Sequence, residues 1–332
     1  MIGWNHMTIT RRLFTQGLIG SAAIASSQAP SWSDDLPHLT WATFTPGFVP
    51  AFMDYTLAKG FDRANGVALA PPIPYSSLTS YYGDFVAGAF DMCFGSWDTF
   101  AVRAFAGVPV RYLCGINPGS LLNIVTMSEA VKSIDDLRGK TLAAPTSSGT
   151  FRLMKSLVHS FYGFDLEKET TVQTVDHPLG GVTLVLADRA DAALTWEPSV
   201  TIGMGKNSKL RVLMNMGEAY QKHEGAEMPF LGLAIRQQAL DKYPDIAPRL
   251  FKTFADGASG MNAEPQAAYG ASEKATGLPA AILVSATQSG RLKYKFSSMA
   301  DPGERQAVIR SSEILAGEKD LPKLVDSSFF VS

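Results

Sequence analysis

The sequence has no marked excess of either charge and no long apolar run. Its 332 residues carry 29 Lys and Arg against 31 Asp and Glu, which gives a formal net charge of −2. This balance supplies no field that would steer nucleic acid or an anionic membrane, so we expect no nucleic-acid partner. No stretch of about eighteen apolar residues is present, which predicts that no helix spans a bilayer.

Metal-binding and catalytic patterns are also missing. The five histidines have no metal-ligand spacing with one another or with the two cysteines. Cys93 and Cys114 each lie in an apolar context, which favours buried free thiols over a disulfide. No nucleophile elbow and no phosphate-binding Walker loop occurs. We therefore assign no metal, no cofactor and no catalytic residues.

The N-terminal segment indicates export. Arg11 and Arg12 are followed by Phe14 and then by a short, weakly apolar run of small residues, the layout of a twin-arginine signal peptide. We predict that this signal covers residues 1–29, with a start at Met1 or Met7; a plain basic N-terminus is the alternative. No cysteine lies between residues 21 and 30, so we expect no lipid anchor and a soluble periplasmic protein.

The remainder alternates strands and helices. Strands are predicted at 39–45, 67–73, 90–95 and 108–114, with helices at 49–59, 77–88 and 99–105 between them. A second series begins near Ile124 and includes a helix that Gly163 ends. Units of this length imply parallel pairing, and parallel sheets place ligands beyond the carboxyl ends of their strands.

A weak internal repeat relates residues 87–98 to residues 187–197. Both segments pass from a helix end through an aspartate, Asp91 or Asp191, and a buried strand to a tryptophan and a carboxylate. The register agrees except for one residue before the tryptophan. If the repeat is genuine, each half of the protein presents a similar strand-end corner to a shared cleft.

Two motifs carry a family resemblance. Residues 137–145 read LRGKTLAAP and residues 190–198 read ADAALTWEP, in that order after the export signal. The chain resembles the periplasmic solute-binding proteins of the nitrate/sulfonate/taurine (NitT/TauT, SsuA-like) class of ABC importers over most of its length. The resemblance implies an α/β type II periplasmic binding protein with mainly parallel sheets in two lobes. Lobe 1 would comprise 36–117 and 230–332, lobe 2 would comprise 118–229, and two crossovers would join them.

The resemblance also implies a function and partners. A monomer would capture a small organic anion or zwitterion by lobe closure and deliver it to the permease and ATPase subunits. A periplasmic sensor or an enzyme on the same scaffold is the alternative, because relatives of this fold include a thiamine-pyrimidine synthase.

The loop before the second-series helix is the strongest candidate for ligand contact. Hydroxyl side chains, a glycine and free helix N–H groups together make a small anion site. A structural cap at Ser147 or Ser148 is the alternative, and both roles can hold at once. The candidate residues are Thr146, Ser147, Ser148, Gly149 and Thr150.

Two strand ends supply further candidates. Trp196 would cover the ligand, and Glu197 would accept from an ammonium group, bridge the lobes or cap the following helix. Ser96, Trp97 and Asp98 likewise have either a ligand-binding or a structural role. Ser96 would donate to ligand oxygens, and Asp98 is expected as a cap.

Aromatic residues complete the predicted pocket. Phe44, Pro46 and Gly47 form the first strand-helix turn and would wall the pocket or pack beneath it, and Phe230 is a candidate by position. An aromatic-rich cleft favours an organic ligand over nitrate. We rank an organosulfonate first, ahead of an aromatic carboxylate or a heterocycle resembling a thiamine precursor.

Overall fold

Two β-sheets organise the chain in this computed structural model, which describes residues 36–45 and 47–331. The predicted signal peptide, residues 1–29, and Pro46 lie outside the described residues. The strands are β1 (His38–Leu39), β2 (Ala42–Phe44), β3 (Ala68–Leu69), β4 (Ile73–Tyr75), β5 (Met92–Ser96), β6 (Val110–Pro118), β7 (Leu122–Thr126), β8 (Thr141–Ala144), β9 (Thr171–Thr174), β10 (Ala192–Trp196), β11 (Arg211–Asn215), β12 (Pro229–Arg236) and β13 (Ser297–Ser298).

Helices connect and cover these strands. They are α1 (Val49–Ala58), α2 (Phe61–Ala64), α3 (Leu78–Ala87), α4 (Trp97–Phe105), α5 (Gly149–Tyr162), α6 (Leu166–Glu169), α7 (Pro178–Leu186), α8 (Ser199–Lys206), α9 (Met216–Glu224), α10 (Gln237–Lys242), α11 (Ile246–Ala263), α12 (Pro265–Ala271), α13 (Glu273–Thr276), α14 (Ala280–Gln288) and α15 (Pro302–Gly317). Among the described residues, none of these helices has the length and apolar character needed to cross a membrane.

The first sheet has the strand order β13-β6-β12-β5, and each neighbouring pair is antiparallel. Two short parallel pairs, β1 with β3 and β2 with β4, lie nearby, and a bridge from Trp41 to Met92 joins this region to β5. The predicted continuous strand at 39–45 is therefore wrong in detail. It divides into β1 and β2 because the two pieces pair with different partners.

The second sheet has the order β11-β7-β10-β8-β9. Here β8 pairs in parallel with β9 and β10, whereas β7 is antiparallel to β10 and β11. The α/β fold with parallel strand pairs is confirmed. The parallel strands β5 and β6 are separated, however, because β12 returns from the second sheet and inserts between them.

The chain passes between the sheets twice. It leaves the first sheet at Pro118, makes a 3-10 turn at Gly119–Leu121 and enters β7 directly. It returns from α9 into β12. The described residues pack as one compact unit, so the lobe boundaries at 36–117, 118–229 and 230–332 stay a prediction.

The core buries both cysteines. Cys93 and Cys114 are free thiols on β5 and β6, which confirms the prediction of buried unpaired cysteines. Burial raises the pKa of both thiols well above the ordinary value. The thiolate, the reactive form, is therefore disfavoured at both positions.

Candidate functional site

A cavity of about 340 Å³ opens where the carboxyl ends of β2, β5 and β10 meet. Its lining comes from elements associated with both sheets. The lining residues are Phe44, Thr45, Gly47, Phe48, Val49, Ser76, Leu78, Tyr81, Tyr82, Phe94, Gly95, Ser96, Ser148, Gly149, Thr150, His177, Pro178, Leu179, Trp196, Glu197, Pro198, Ser199, Ile202, Phe230, Leu231 and Leu278. Its position agrees with the expectation that ligands bind beyond the carboxyl ends of parallel strands.

Aromatic rings make up much of the wall. The rings belong to Phe44, Phe48, Tyr81, Tyr82, Phe94, Trp196 and Phe230. Aromatic walls bury large areas of a ligand and favour a body that is itself apolar or aromatic.

Several helices begin at the cavity. Residues at or next to the N-termini of α1, α5, α7 and α8 all contribute to its lining. Each N-terminus carries about half a positive charge, and its first-turn amides have no partner within the helix. No lysine or arginine occurs among the described residues that line the cavity. The arrangement therefore suits an anion that is held by backbone N–H groups.

Ser148 caps α5 and also lines the cavity. The Ser148 hydroxyl donates to the Pro145 carbonyl at 2.7 Å and accepts from the Phe151 amide at 3.3 Å. Both predicted roles of Ser148 are thus geometrically compatible, since it caps the helix and lines the cavity. Gly149 packs so closely on the end of β5 that a Cβ atom there would lie 2.8 Å from Ser96 Oγ.

A buried ion pair stands behind this contact. The Asp98 carboxylate is fully buried, and its Oδ2 accepts from Arg152 Nη1 at 2.9 Å. Burial raises the pKa of the Asp98 carboxyl, against the opposing effect of the Arg152 guanidinium. Among the described residues, Oδ1 of Asp98 has no hydrogen-bond partner. The expected cap at Asp98 is therefore wrong: the N-cap of α4 is Ser96, with no side-chain cap hydrogen bond, and the Asp98 carboxylate pairs with Arg152.

A second buried ion pair involves Glu197. Its Oε1 accepts from Arg291 Nε at 2.6 Å and from the Thr201 hydroxyl at 3.1 Å. Its Oε2 accepts from the Thr201 amide at 3.2 Å, in the first turn of α8. Of the predicted roles, Glu197 therefore caps the helix and bridges to a distant segment. Its carboxylate has no exposed surface.

The structure brings most of the predicted site residues together. Those that line the cavity are Phe44, Gly47, Ser96, Ser148, Gly149, Thr150, Trp196, Glu197 and Phe230. Their contact with a ligand stays a prediction.

Three predicted residues lie elsewhere. Trp97 is fully buried and donates from its ring N–H to the Pro229 carbonyl at 3.2 Å. Thr146 faces Thr174, with 3.0 Å between their hydroxyl oxygens, and Ser147 is exposed at the loop. None of these three side chains is part of the cavity lining.

Sequence reasoning misses His177. The spacing of the histidines bears only on metal binding, yet Nδ1 of His177 accepts from the Gly180 amide at 3.2 Å and caps α7. Pro178 at the first helical position is the signal that could have found it. The capping nitrogen must be unprotonated, so in the neutral ring Nε2 carries the hydrogen. No cluster of three or more potential metal ligands occurs in the described ranges.

The internal repeat has a structural counterpart. Asp91 Oδ2 accepts from the Thr40 amide, and Asp191 Oδ2 accepts from the Thr141 amide, both at 2.8 Å. The strands that follow, β5 and β10, each pair antiparallel with the strand arriving from the other sheet. The two aspartates therefore occupy equivalent positions.

Solved structures share this fold. The periplasmic aliphatic sulphonate binding protein SsuA from Escherichia coli aligns with a TM-score of 0.70 at 14% identity, covering 89% of this chain and 92% of that one. The alkanesulfonate-binding protein SsuA from Xanthomonas axonopodis pv. citri, bound to MOPS, aligns at 0.67 and 16%, with 86% and 95% covered. A Candida albicans protein described as having the generic periplasmic binding protein fold aligns at 0.63 and 14%, with 89% and 94% covered.

The architecture is therefore that of a periplasmic binding protein, as the resemblance implied. No curated protein matches the sequence. Residues 55–268 match the family described as NMT1/THI5 like, and the chain belongs to that family.

Proposed function

We propose that this chain is the substrate-binding component of an ABC importer and acts in the periplasm. It captures a small organic anion with an apolar or aromatic body and delivers it to the permease, while the partner ATPase hydrolyses ATP. The observation that carries this proposal is a cavity of about 340 Å³ that combines aromatic walls, several helix starts and no lysine or arginine among its described lining residues.

The ligand class follows from the two kinds of surface in the cavity, which are helix-start amides and aromatic rings. The amides of Gly149 and Thr150 suit a sulfonate or carboxylate, because such groups accept several N–H donors at once. Trp196 and Phe230 suit the rest of the ligand. Organosulfonates rank first, supported by the sulfonate-binding relatives, and aromatic carboxylates or thiamine-precursor-like heterocycles follow.

Recognition works through lobe closure in this proposal. A ligand shifts the population toward the closed state only as far as it binds that state more tightly. Residues from both sheets line the cavity, so a ligand that touches Phe44 and Thr150 together contacts both halves. No chemical step on the chain is needed.

A thermal-shift screen of the purified protein, stripped of bound ligand, tests the proposal. Benzenesulfonate, alkanesulfonates, aromatic carboxylates, nitrate and a pyrimidine precursor of thiamine form the panel. A ligand at a hundred times its Kd adds about 2.7 kcal/mol to the unfolding free energy, which raises Tm by several degrees.

Two variants test whether the rise in Tm depends on the cavity. Trp196→Leu should abolish it, whereas Tyr243→Leu, which changes an aromatic residue outside the lining, should preserve it. If no organic anion raises the Tm of the folded protein, the proposal is refuted. Turnover of a panel compound would favour the enzyme alternative.

A further inference from the structure

Glu197 places a carboxylate directly behind the cavity wall. It follows Trp196, whose ring lines the cavity, and it is itself a lining residue although its side chain has no exposed surface. An uncompensated negative charge at this point would repel an anionic ligand and attract an ammonium group. The state of this carboxylate therefore bears on which ligands can enter.

Both oxygens of the carboxylate accept hydrogen bonds from the protein. The Arg291 guanidinium and the Thr201 hydroxyl bind one oxygen, at 2.6 and 3.1 Å, and the Thr201 amide binds the other at 3.2 Å. A buried carboxylate is tolerated when it is paired and hydrogen-bonded in this way. A ligand ammonium group at this carboxylate would compete with the charge-assisted bond from Arg291.

Arg291 reaches Glu197 from outside the cavity. It follows α14, and its carbonyl oxygen accepts from the Ser120 hydroxyl at 3.3 Å, beside the passage between the two sheets. Its Nη2 lies 3.4 Å from the Thr201 hydroxyl oxygen. Its side chain is 19% exposed, and Arg291 is not among the lining residues. The arginine is therefore partly exposed, whereas the carboxylate that it pairs with is fully buried.

We infer that Arg291 determines the charge class of the ligand, because it neutralises Glu197 behind the wall so that the cavity accepts organic anions and excludes ammonium groups. This inference rests on the proposed function and sharpens it, since zwitterions such as 2-aminoethanesulfonate become poor ligands. Arg291 acts through Glu197 and is a positioning residue that does not contact the ligand.

Charge selectivity measured by calorimetry tests the inference. The probes are benzenesulfonate, benzylamine and 2-aminoethanesulfonate, so that anion, cation and zwitterion are compared. Wild type should bind benzenesulfonate and neither amine. Arg291→Met should weaken benzenesulfonate binding by roughly tenfold or more, because a like charge then acts across a few ångströms of low-dielectric wall. The same variant should gain measurable binding of benzylamine.

Further variants separate charge from structural damage. Arg291→Lys should keep the wild-type selectivity, and Arg291→Met combined with Glu197→Gln should recover benzenesulfonate binding. Arg310→Met is the matched control, since it breaks an ion pair with Glu224 outside the cavity lining and should leave selectivity unchanged. If Arg291→Met does not fold, Glu197→Gln decides alone: it should raise benzenesulfonate affinity, and a fall would overturn the inference.

Different experimental results refute the proposed function and the inference on Arg291. If wild type binds no organic anion, the proposed function fails and this inference fails with it. If wild type binds benzenesulfonate but folded Arg291→Met keeps the same preference for it over benzylamine, only the inference on Arg291 is refuted. Tight binding of 2-aminoethanesulfonate by wild type would also refute it.

Discussion

Gly149→Ala probes how tightly the start of α5 packs against the end of β5. A Cβ atom at this position would overlap Thr99 Oγ1 and lie 2.8 Å from both Asp98 Oδ2 and Ser96 Oγ. All three neighbours are buried side chains, so they cannot simply turn into solvent. Overpacking of this kind costs about 1–3 kcal/mol, and we expect the upper end of that range. To relieve this overlap the start of α5 would have to move. That movement would displace the first-turn amides of α5 and weaken benzenesulfonate binding.

Urea denaturation of the purified variant measures the cost, as a lower midpoint at an unchanged m-value. Gly270→Ala is the control, because Gly270 is an exposed residue of α12 and a Cβ atom added there would meet no other atom within 4 Å. Alanine in a helix interior gains about 0.5–1 kcal/mol over glycine, so the control should be neutral or slightly more stable. Equal stability of the two variants would show that α5 does not press on the end of β5.

Three further substitutions address neighbouring parts of the site. Arg152→Gln leaves the buried Asp98 carboxylate without its cation, and a loss of about 3–5 kcal/mol is expected near neutral pH. Burial raises the pKa of Asp98 in the folded state, so the folded protein binds a proton there more readily than the unfolded chain does. The stability of the variant should therefore recover as the pH falls through that pKa. A loss of stability that does not depend on pH in urea melts would contradict this reasoning. Trp97→Ala should cost about 3–5 kcal/mol by calorimetry without changing ligand affinity in the folded protein, since this ring lies outside the cavity. Ser148→Ala should lose about 1 kcal/mol from the cap, and an accompanying loss of affinity in titrations would add ligand contact to its role.

Local signals predict the helices well. The predicted end of α5 at Gly163 coincides with a left-handed glycine, φ 67°, directly after Tyr162. Ser77 caps α3 and Gly88 ends it, also in the left-handed conformation. These features depend on residues within one or two turns of each other, so the sequence contains all that is needed to place them.

Long-range pairing is harder to predict. The insertion of β12 between β5 and β6 joins residues more than a hundred positions apart, and no local pattern signals it. The partner of Glu197 escapes sequence reasoning for the same reason, because Arg291 lies on a segment that meets it only in the folded chain. A single sequence indicates that a carboxylate follows a strand, but not which cation neutralises it.

The two tryptophans of the internal repeat lie in different environments. Asp91 and Asp191 are structurally equivalent, but Trp97 follows the first by six residues and Trp196 follows the second by five. Ser96 and Trp196 are the last residues of β5 and β10, and the residues that follow them, Trp97 and Glu197, have fully buried side chains. Ser96 and Trp196 line the cavity. Trp97 and Glu197 share the buried position, where one half of the protein holds an aromatic ring and the other holds the carboxylate that Arg291 neutralises.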